Sequence, residues 1–126
     1  CLWEILGKAA GLPIYKLLGG SRRSVFAYAT GGYYIEDAPL TSVAKEMSGY
    51  VEMGYRAVKI KTGALGLKDE LTRIRAVRDA IRPDTLFMLD MNAPYGVEDC
   101  IAFANAVAPY NILWLEDPLH WHLQPA

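Results

Sequence analysis

The sequence predicts an α/β fold in which parallel strands alternate with helices. Short β-rich runs recur along the chain, separated by longer stretches of helical spacing. Gly54 and Pro83 stop two of those helical stretches just before the next strand begins. Three successive strand candidates end in ionisable residues, Lys61, Asp90 and Glu116. In parallel α/β folds this is the strand end beyond which ligands bind.

The first twenty residues stand apart from the rest. Leu2, Trp3, Ile5 and Leu6 lead into Gly7-Lys8-Ala9-Ala10-Gly11, which reads as a helix ending at Gly11. Its start at Cys1 lacks a basic-then-apolar leader and reads as the middle of a helix. Pro13 opens a short second helix, and Gly19-Gly20 stops it. A helix this apolar needs something to pack on.

A regular alternation begins after Ser21. Val25 to Thr30 is a β-rich run. Thr41 to Met53 has helical spacing, with Val43, Met47, Tyr50 and Val51 on one side and Thr41 or Ser42 as N-cap. Ala57 to Lys61 is the second strand. Leu67 to Ile81 is the next helix, with Leu71, Ile74, Val77 (or Arg78) and Ile81 inward and Arg73, Arg75 and Arg82 outward. Leu86 to Asp90 is the third strand. Val97 to Ala108 is a helix with Ile101, Phe103-Ala104 and Val107 available for packing, and Ile112 to Glu116 is the fourth strand. Phe87 and Trp114 are expected in the core, and Arg73, Arg75, Arg78 and Arg82 on a solvated helix face.

Two architectures fit this order: an open doubly wound sheet, or part of a (β/α)8 TIM-type barrel. A dinucleotide fold would carry G-x-G-x-x-G after its first strand. Thr30-Gly31-Gly32-Tyr33-Tyr34 does not match it. A full barrel takes about 250 residues, so about four βα units are half of one.

Composition narrows the function. With 52% apolar and 21% charged residues the chain reads as globular. A net charge of −1, with both signs scattered, gives no case for nucleic acid or an anionic membrane. There is no long apolar run for a transmembrane span. Cys1 and Cys100 have no C-x-x-C spacing, so the expected compartment is the reducing cytoplasm.

Strand side chains alternate faces. Lys59 and Lys61 therefore share a face, and so do Asp90 and Asn92 if that strand continues. Two ammonium groups would then sit beside two carboxylates at one mouth. Two carboxylates on adjacent strands can hold Mg²⁺, a hard cation that takes oxygen ligands. Such an ion can bind a substrate carboxylate and take up the charge of an enolate. A nearby lysine, its pKa of about 10.4 lowered by a second lysine and the ion, can remove the proton alpha to that carboxylate.

Three stretches give this pattern a family. They are Gly7-Lys8-Ala9-Ala10-Gly11-Leu12-Pro13 through Leu17-Leu18-Gly19-Gly20, then Ala57-Val58-Lys59-Ile60-Lys61-Thr62-Gly63, then Leu89-Asp90-Met91-Asn92 together with Trp114-Leu115-Glu116-Asp117-Pro118-Leu119. In this order they resemble the mandelate racemase/muconate lactonizing group of the enolase superfamily. The resemblance covers essentially the whole chain. It implies a partial (β/α)8 barrel, truncated at both ends. Residues 1–20 would be the tail of the capping-domain helices and linker, and residues 21–126 the first half of the barrel. It also implies roles: Lys61 as general base, Lys59 assisting it near the substrate carboxylate, Asp90 and Glu116 as ligands of Mg²⁺, and Asn92 near metal or substrate. The third ligand and the opposite-face catalyst, a His paired with an Asp or else a Lys, are expected beyond Ala126.

Each residue also has a plainer reading. Lys59 and Lys61 can be solvated strand-end lysines. Asp90 can cap the turn at Asn92-Ala93-Pro94, and Glu116-Asp117-Pro118 can be a polar turn. The register of carboxylates with lysines favours chemistry. Asp117 is expected to hydrogen-bond structurally. His120 and His122 have H-x-H spacing but follow Pro118 in a loop, at the wrong strand for the family's His, so a metal role is not favoured; His120 is kept as a substrate-facing candidate. Tyr33, beside Tyr34 after the first strand, is another substrate candidate.

The resemblance implies a small-molecule carboxylate substrate, a sugar acid or hydroxy acid, and a homo-oligomeric parent. The expected reaction is dehydration of a sugar acid, with racemisation, epimerisation or cycloisomerisation as alternatives. The isolated chain is expected to be inert. A doubly wound nucleotide-binding domain is the rival from another class.

Overall fold

Four parallel strands lie side by side in sequence order, and each follows the one before through a helix. The computed structural model describes residues 1–123. Its elements are α1 (Leu2–Ala10), α2 (Ile14–Leu17), β1 (Ala29–Gly31), α3 (Ser42–Glu52), β2 (Ala57–Lys61), α4 (Leu67–Ala80), β3 (Leu86–Asp90), α5 (Val97–Val107) and β4 (Ile112–Glu116). Short 3₁₀ turns lie at Ala108–Tyr110, between α5 and β4, and at Trp121–Leu123, after β4. The strand order is β1-β2-β3-β4 without reversal. A doubly wound sheet reverses its order and carries helices on both faces. Here α3, α4 and α5 all cover one face, as in the wall of a (β/α)8 barrel.

Period-two alternation gives the sheet two chemically different faces. Val58 pairs in register with Phe87, and Ile60 with Leu89. These four residues face the helices and pack with Val43 and Met47 of α3, Ile74 and Val77 of α4, and Phe103 and Val107 of α5. Phe87 is wholly buried, and burial of such a side chain stabilises by roughly 1.5–3 kcal/mol. The opposite face carries Lys59, Met88, Lys61 and Asp90. Lys59 is beside Met88 and Lys61 beside Asp90. One face builds the core, and the other presents charge toward what would be the barrel interior.

β4 joins with a register shift. Phe87 pairs with Ile112 and Leu89 with Leu115, so an extra residue of β4 lies opposite Met88. Bulges of this kind re-aim side chains. Ile112 and Leu115, three apart, both pack against the core. Glu116 then falls level with Asp90.

Loop glycines let the strand ends approach closely. Gly63 has φ +95°, and a Cβ there would lie 2.7 Å from Pro94 Cγ. Gly32 has φ +67°, and its Cβ would meet the Ile60 side chain at 2.8 Å. Both positions combine a left-handed backbone with no room for a side chain.

Several expectations are corrected. The first strand is Ala29–Gly31 rather than Val25 to Thr30. β1 is an edge strand whose pairing with β2 begins only at Ala29, and Val25 and Phe26 are exposed. The α3 cap is Thr41, but its side chain makes no capping hydrogen bond. α4 stops at Ala80, one residue short of Ile81. Trp114 is exposed rather than in the core, because it shares the face of Glu116 two residues on. Ile101 is exposed on the outer side of α5, while Phe103 and Val107 are buried. Arg73 is buried rather than solvated, and Arg78 is half-buried, donating to the Thr85 carbonyl and lying over the Phe87 ring. Arg75 and Arg82 are exposed as expected.

The first twenty residues form the expected two helices. Gly11 ends α1 in the left-handed conformation, φ 64°. Leu2, Trp3, Ile5 and Leu6 are exposed. Residues 124–126, the end of the expected barrel segment, lie outside the described residues. Among the described residues, no helix is long and apolar enough to cross a membrane.

Candidate functional site

The ends of β2, β3 and β4 bring Lys59, Lys61, Asp90, Asn92 and Glu116 into one cluster. Register sets this up: Lys61 is level with Asp90, and Asp90 with Glu116. The Lys59 ammonium donates to Glu116 Oε2 at 2.6 Å and lies 3.2 Å from Asp90 Oδ2. The Lys61 ammonium donates to Asp90 Oδ2 at 2.7 Å and to Asn92 Oδ1 at 2.8 Å. Asn92 sits in the left-handed region at φ 57°, which asparagine tolerates better than most residues.

The cluster grades from buried to open. The side chains of Lys59 and Asp90 are 8% and 5% exposed, those of Lys61 and Glu116 20% and 35%. Charges withdrawn from water must be paired. Burial pushes the Lys59 ammonium toward losing its proton, but its hydrogen bonds to Glu116 and Asp90 outweigh this and hold its pKa above the usual lysine value. Burial likewise pushes the Asp90 carboxyl up, and the bonds from Lys61 and Lys59 outweigh it and hold it below the usual range. Both groups are therefore charged near neutrality. Tyr28 lies under Lys59, its ring centroid 5.4 Å from Nζ, and meets Trp114 edge-on.

Asp90 bears on the metal question. Its Oδ2 is shared by both lysines, while Oδ1 is buried without a hydrogen-bond partner among the described residues. A buried carboxylate oxygen left unpaired is costly. Together with Glu116 it forms an all-oxygen donor pair of the kind a hard divalent cation takes. Among the described residues, no three of His, Cys, Asp and Glu come together around a common point. The donor set fits a cation but supplies two carboxylates of it.

The family follows from comparison with known proteins. The enolase C-terminal domain-like family matches residues 42–125, the stretch that runs from α3 through the lysine and carboxylate strands. The chain belongs to the enolase superfamily. It is 39% identical to the arabinonate dehydratase of Saccharolobus solfataricus over 94% of this chain and 32% of that protein. Among solved structures, it superposes on the 3,6-anhydro-D-galactonate cycloisomerase of Zobellia galactanivorans with a TM-score of 0.80 at 36% identity, covering 94% of this chain and 32% of that one. It also superposes on a dipeptide epimerase of Enterococcus faecalis complexed with Mg and a dipeptide, with a TM-score of 0.79 at 30% identity and the same coverage. The chain spans about a third of the length of the curated relatives it matches.

Of the seven residues expected to serve catalysis, metal or substrate in this enolase-superfamily chain, five meet in the cluster and two, Tyr33 and His120, do not. Tyr33 is exposed and lines a separate cavity of about 500 Å³ with Tyr34, Glu46 and Arg73. His120 is exposed, stacks with Trp121 and His122, and takes part in none of the cluster's hydrogen bonds. Asp117, at φ 45°, accepts from the Ala93 amide through its backbone carbonyl at 2.6 Å, which ties the loop after β4 to that after β3.

Glu70 was not singled out from the sequence, and Arg73 was expected on the solvated face of α4. Both are buried on the sheet side of α4, paired at 3.1 Å. A signal was available: Glu70 lies four residues before Ile74 and seven before Val77, on the apolar stripe itself. A charge on that stripe, with an opposite charge three residues on, marks a buried pair.

Proposed function

We propose that the protein carrying this chain removes the proton alpha to the carboxylate of a small acid, with Lys61 as the base and Asp90 and Glu116 holding Mg²⁺. The observation that supports this most is the arrangement of Lys61 beside two carboxylates in register at three consecutive strand ends. It is backed by Asp90 Oδ1, which has no hydrogen-bond partner among the described residues. Bound Mg²⁺ supplies positive charge against which negative charge on the substrate oxygens is stabilised.

The chain's own residues do the rest. A lysine hydrogen-bonded to a carboxylate carries its proton and cannot act as a base. When the Asp90 lone pairs are taken up elsewhere, the Lys61 ammonium gives up one proton to solvent, and its nitrogen lone pair is free to act. Its Nζ then accepts the alpha proton: the C–H bond breaks, an N–H bond forms, and the electron pair passes into the carbonyl system as an enolate. Lys59, more deeply set, stays charged and orients the substrate carboxylate. Asn92 holds the Lys61 head on its open side. Residues 1–20 serve as the tail of a capping segment, and residues 21–126 as the first half of the barrel.

Dehydration of a sugar acid is the favoured reaction. The enolate electron pair expels the β-hydroxyl, which takes up a proton from an acid and leaves as water, and the resulting enol tautomerises to a 2-keto-3-deoxy acid. The arabinonate dehydratase relative supports this choice. Cycloisomerisation and epimerisation are the alternatives, supported by the cycloisomerase and epimerase likenesses. The test is to incubate the protein with Mg²⁺ and a panel of sugar acids in D₂O. Loss of water to a keto acid supports dehydration. Deuterium at the alpha carbon without loss of water moves the assignment to epimerisation, and an opened or rearranged ring moves it to cycloisomerisation. No exchange with any acid contradicts the reading.

A further inference from the structure

We propose that the buried Glu70–Arg73 pair of α4 is a positioning device for Lys61, with Tyr34 as its third member; this rests on the reading of Lys61 as the base. The pair lies on the helix face of the sheet, opposite the lysine side chains, and among the described residues it hydrogen-bonds to none of the cluster's charged side chains. It acts through the backbone.

Among the described residues, all the hydrogen bonds of the two side chains beyond their own ion pair end on the last residue of β2 or on the loops that follow β1 and β2. Arg73 donates from Nη1 to the Lys61 carbonyl at 2.9 Å and from Nη2 to the Gly32 carbonyl. Glu70 Oε1 accepts from the Gly63 amide at 2.9 Å, from the Leu65 amide at 3.1 Å, and from the Tyr34 hydroxyl. The Tyr34 oxygen in turn accepts from the Ala64 amide at 3.2 Å, and the Arg73 guanidinium lies 4.1 Å over the Tyr34 ring. The carbonyl of Lys61 and the amides of three of the next four residues are thus held by one three-residue unit. Thr62 is fixed from the other side, its amide donating to the Asp90 carbonyl at 2.9 Å.

A packing role alone is a poor account of this. A buried ion pair often stabilises no more than apolar residues of the same volume would, because both charges must be desolvated. Ile74 and Val77 show what the α4–sheet interface otherwise uses. What the pair supplies, and apolar side chains could not, is a fixed set of directed bonds at the exit of β2. A lysine has a long, flexible stem, so the place of its nitrogen depends on a well-held Cα. Misplacing a reacting group by 1 Å costs on the order of 100-fold in rate.

The test compares variants of the whole protein, with turnover normalised to Mg²⁺-binding stoichiometry so that only folded sites are counted. Arg73→Met is expected to lower kcat for alpha-proton exchange by about 10- to 100-fold, with KM and the Kd for Mg²⁺ nearly unchanged. Arg73→Lys is expected to rescue little, because one ammonium cannot reproduce the forked contact to two carbonyls. Tyr34→Phe, which removes only a hydroxyl, should lower kcat less and in the same sense. Unchanged kcat in Arg73→Met overturns the proposal. If that variant does not fold, Tyr34→Phe and Glu70→Gln decide, and unchanged kcat in both overturns it. Lys61→Ala separates the two layers: retained exchange there overturns the base assignment and the positioning role with it. Lost exchange there, with Arg73→Met unchanged, overturns positioning alone.

Discussion

Lys59 and Glu116 are 57 residues apart in sequence, yet the ammonium of one donates to the carboxylate of the other at 2.6 Å. The same nitrogen lies 3.2 Å from Asp90 Oδ2. A cation held by those two carboxylates therefore competes with a cation already there. Like charges at such short range repel strongly where water is excluded. Lys59→Met should bind Mg²⁺ at least as tightly as the parent. Its KM for a carboxylate substrate should rise by about tenfold, the loss expected for a charge-assisted contact. Calorimetric titration with Mg²⁺ checks the first part and steady-state kinetics the second. Weaker Mg²⁺ binding would mean that Lys59 supports the metal site rather than competing for it.

Glu116→Gln should act in the opposite direction. It removes one of the two charged oxygen donors and leaves Lys61 and its bond to Asp90 in place. The affinity for Mg²⁺ should fall by at least about tenfold. Activity should return in part at high Mg²⁺. Activity lost without recovery, at unchanged metal affinity, would place Glu116 on the substrate instead.

Tyr34 predicts an alkaline effect on stability. Burial raises its pKa first, and its hydrogen bond to Glu70 raises it further. The protonated phenol is thus the form the fold holds. Stability from this group is fully present below the phenol's unfolded pKa of about 10. It is lost as pH rises from there through the higher folded value, because the folded state then binds more protons than the unfolded one. Thermal melts between about pH 9 and 11 should show the parent losing Tm faster than Tyr34→Phe. Parallel curves would show that Tyr34 titrates normally.

Much of this site was legible in the sequence because it follows from alternation. Given β2 and β3, period two places Lys59, Lys61 and Asp90 on one face and Ile60 and Leu89 on the other, as found. Trp114 shows the limit. Its hydrophobicity suggested the core, although parity with Glu116 already placed it on the charged face. The register shift beside Met88 is a tertiary feature with no glycine or proline to announce it. Arg73 was misplaced for a related reason: arginine is rarely buried, so composition outweighed helical phase. Val25 to Tyr28 have strand propensity but lie before the pairing with β2 begins at Ala29, and propensity alone does not make a strand.

The most direct measurement is alpha-proton exchange in D₂O by the Lys61→Ala variant of the whole protein, alongside its Mg²⁺ affinity. With Lys61 as the base, exchange should fall by about 10²- to 10⁴-fold, the usual contribution of a positioned general base, while Mg²⁺ binds nearly as in the parent. Exchange retained at the parent rate, with Mg²⁺ binding lost, would contradict the assignment and make Lys61 a support of the metal site.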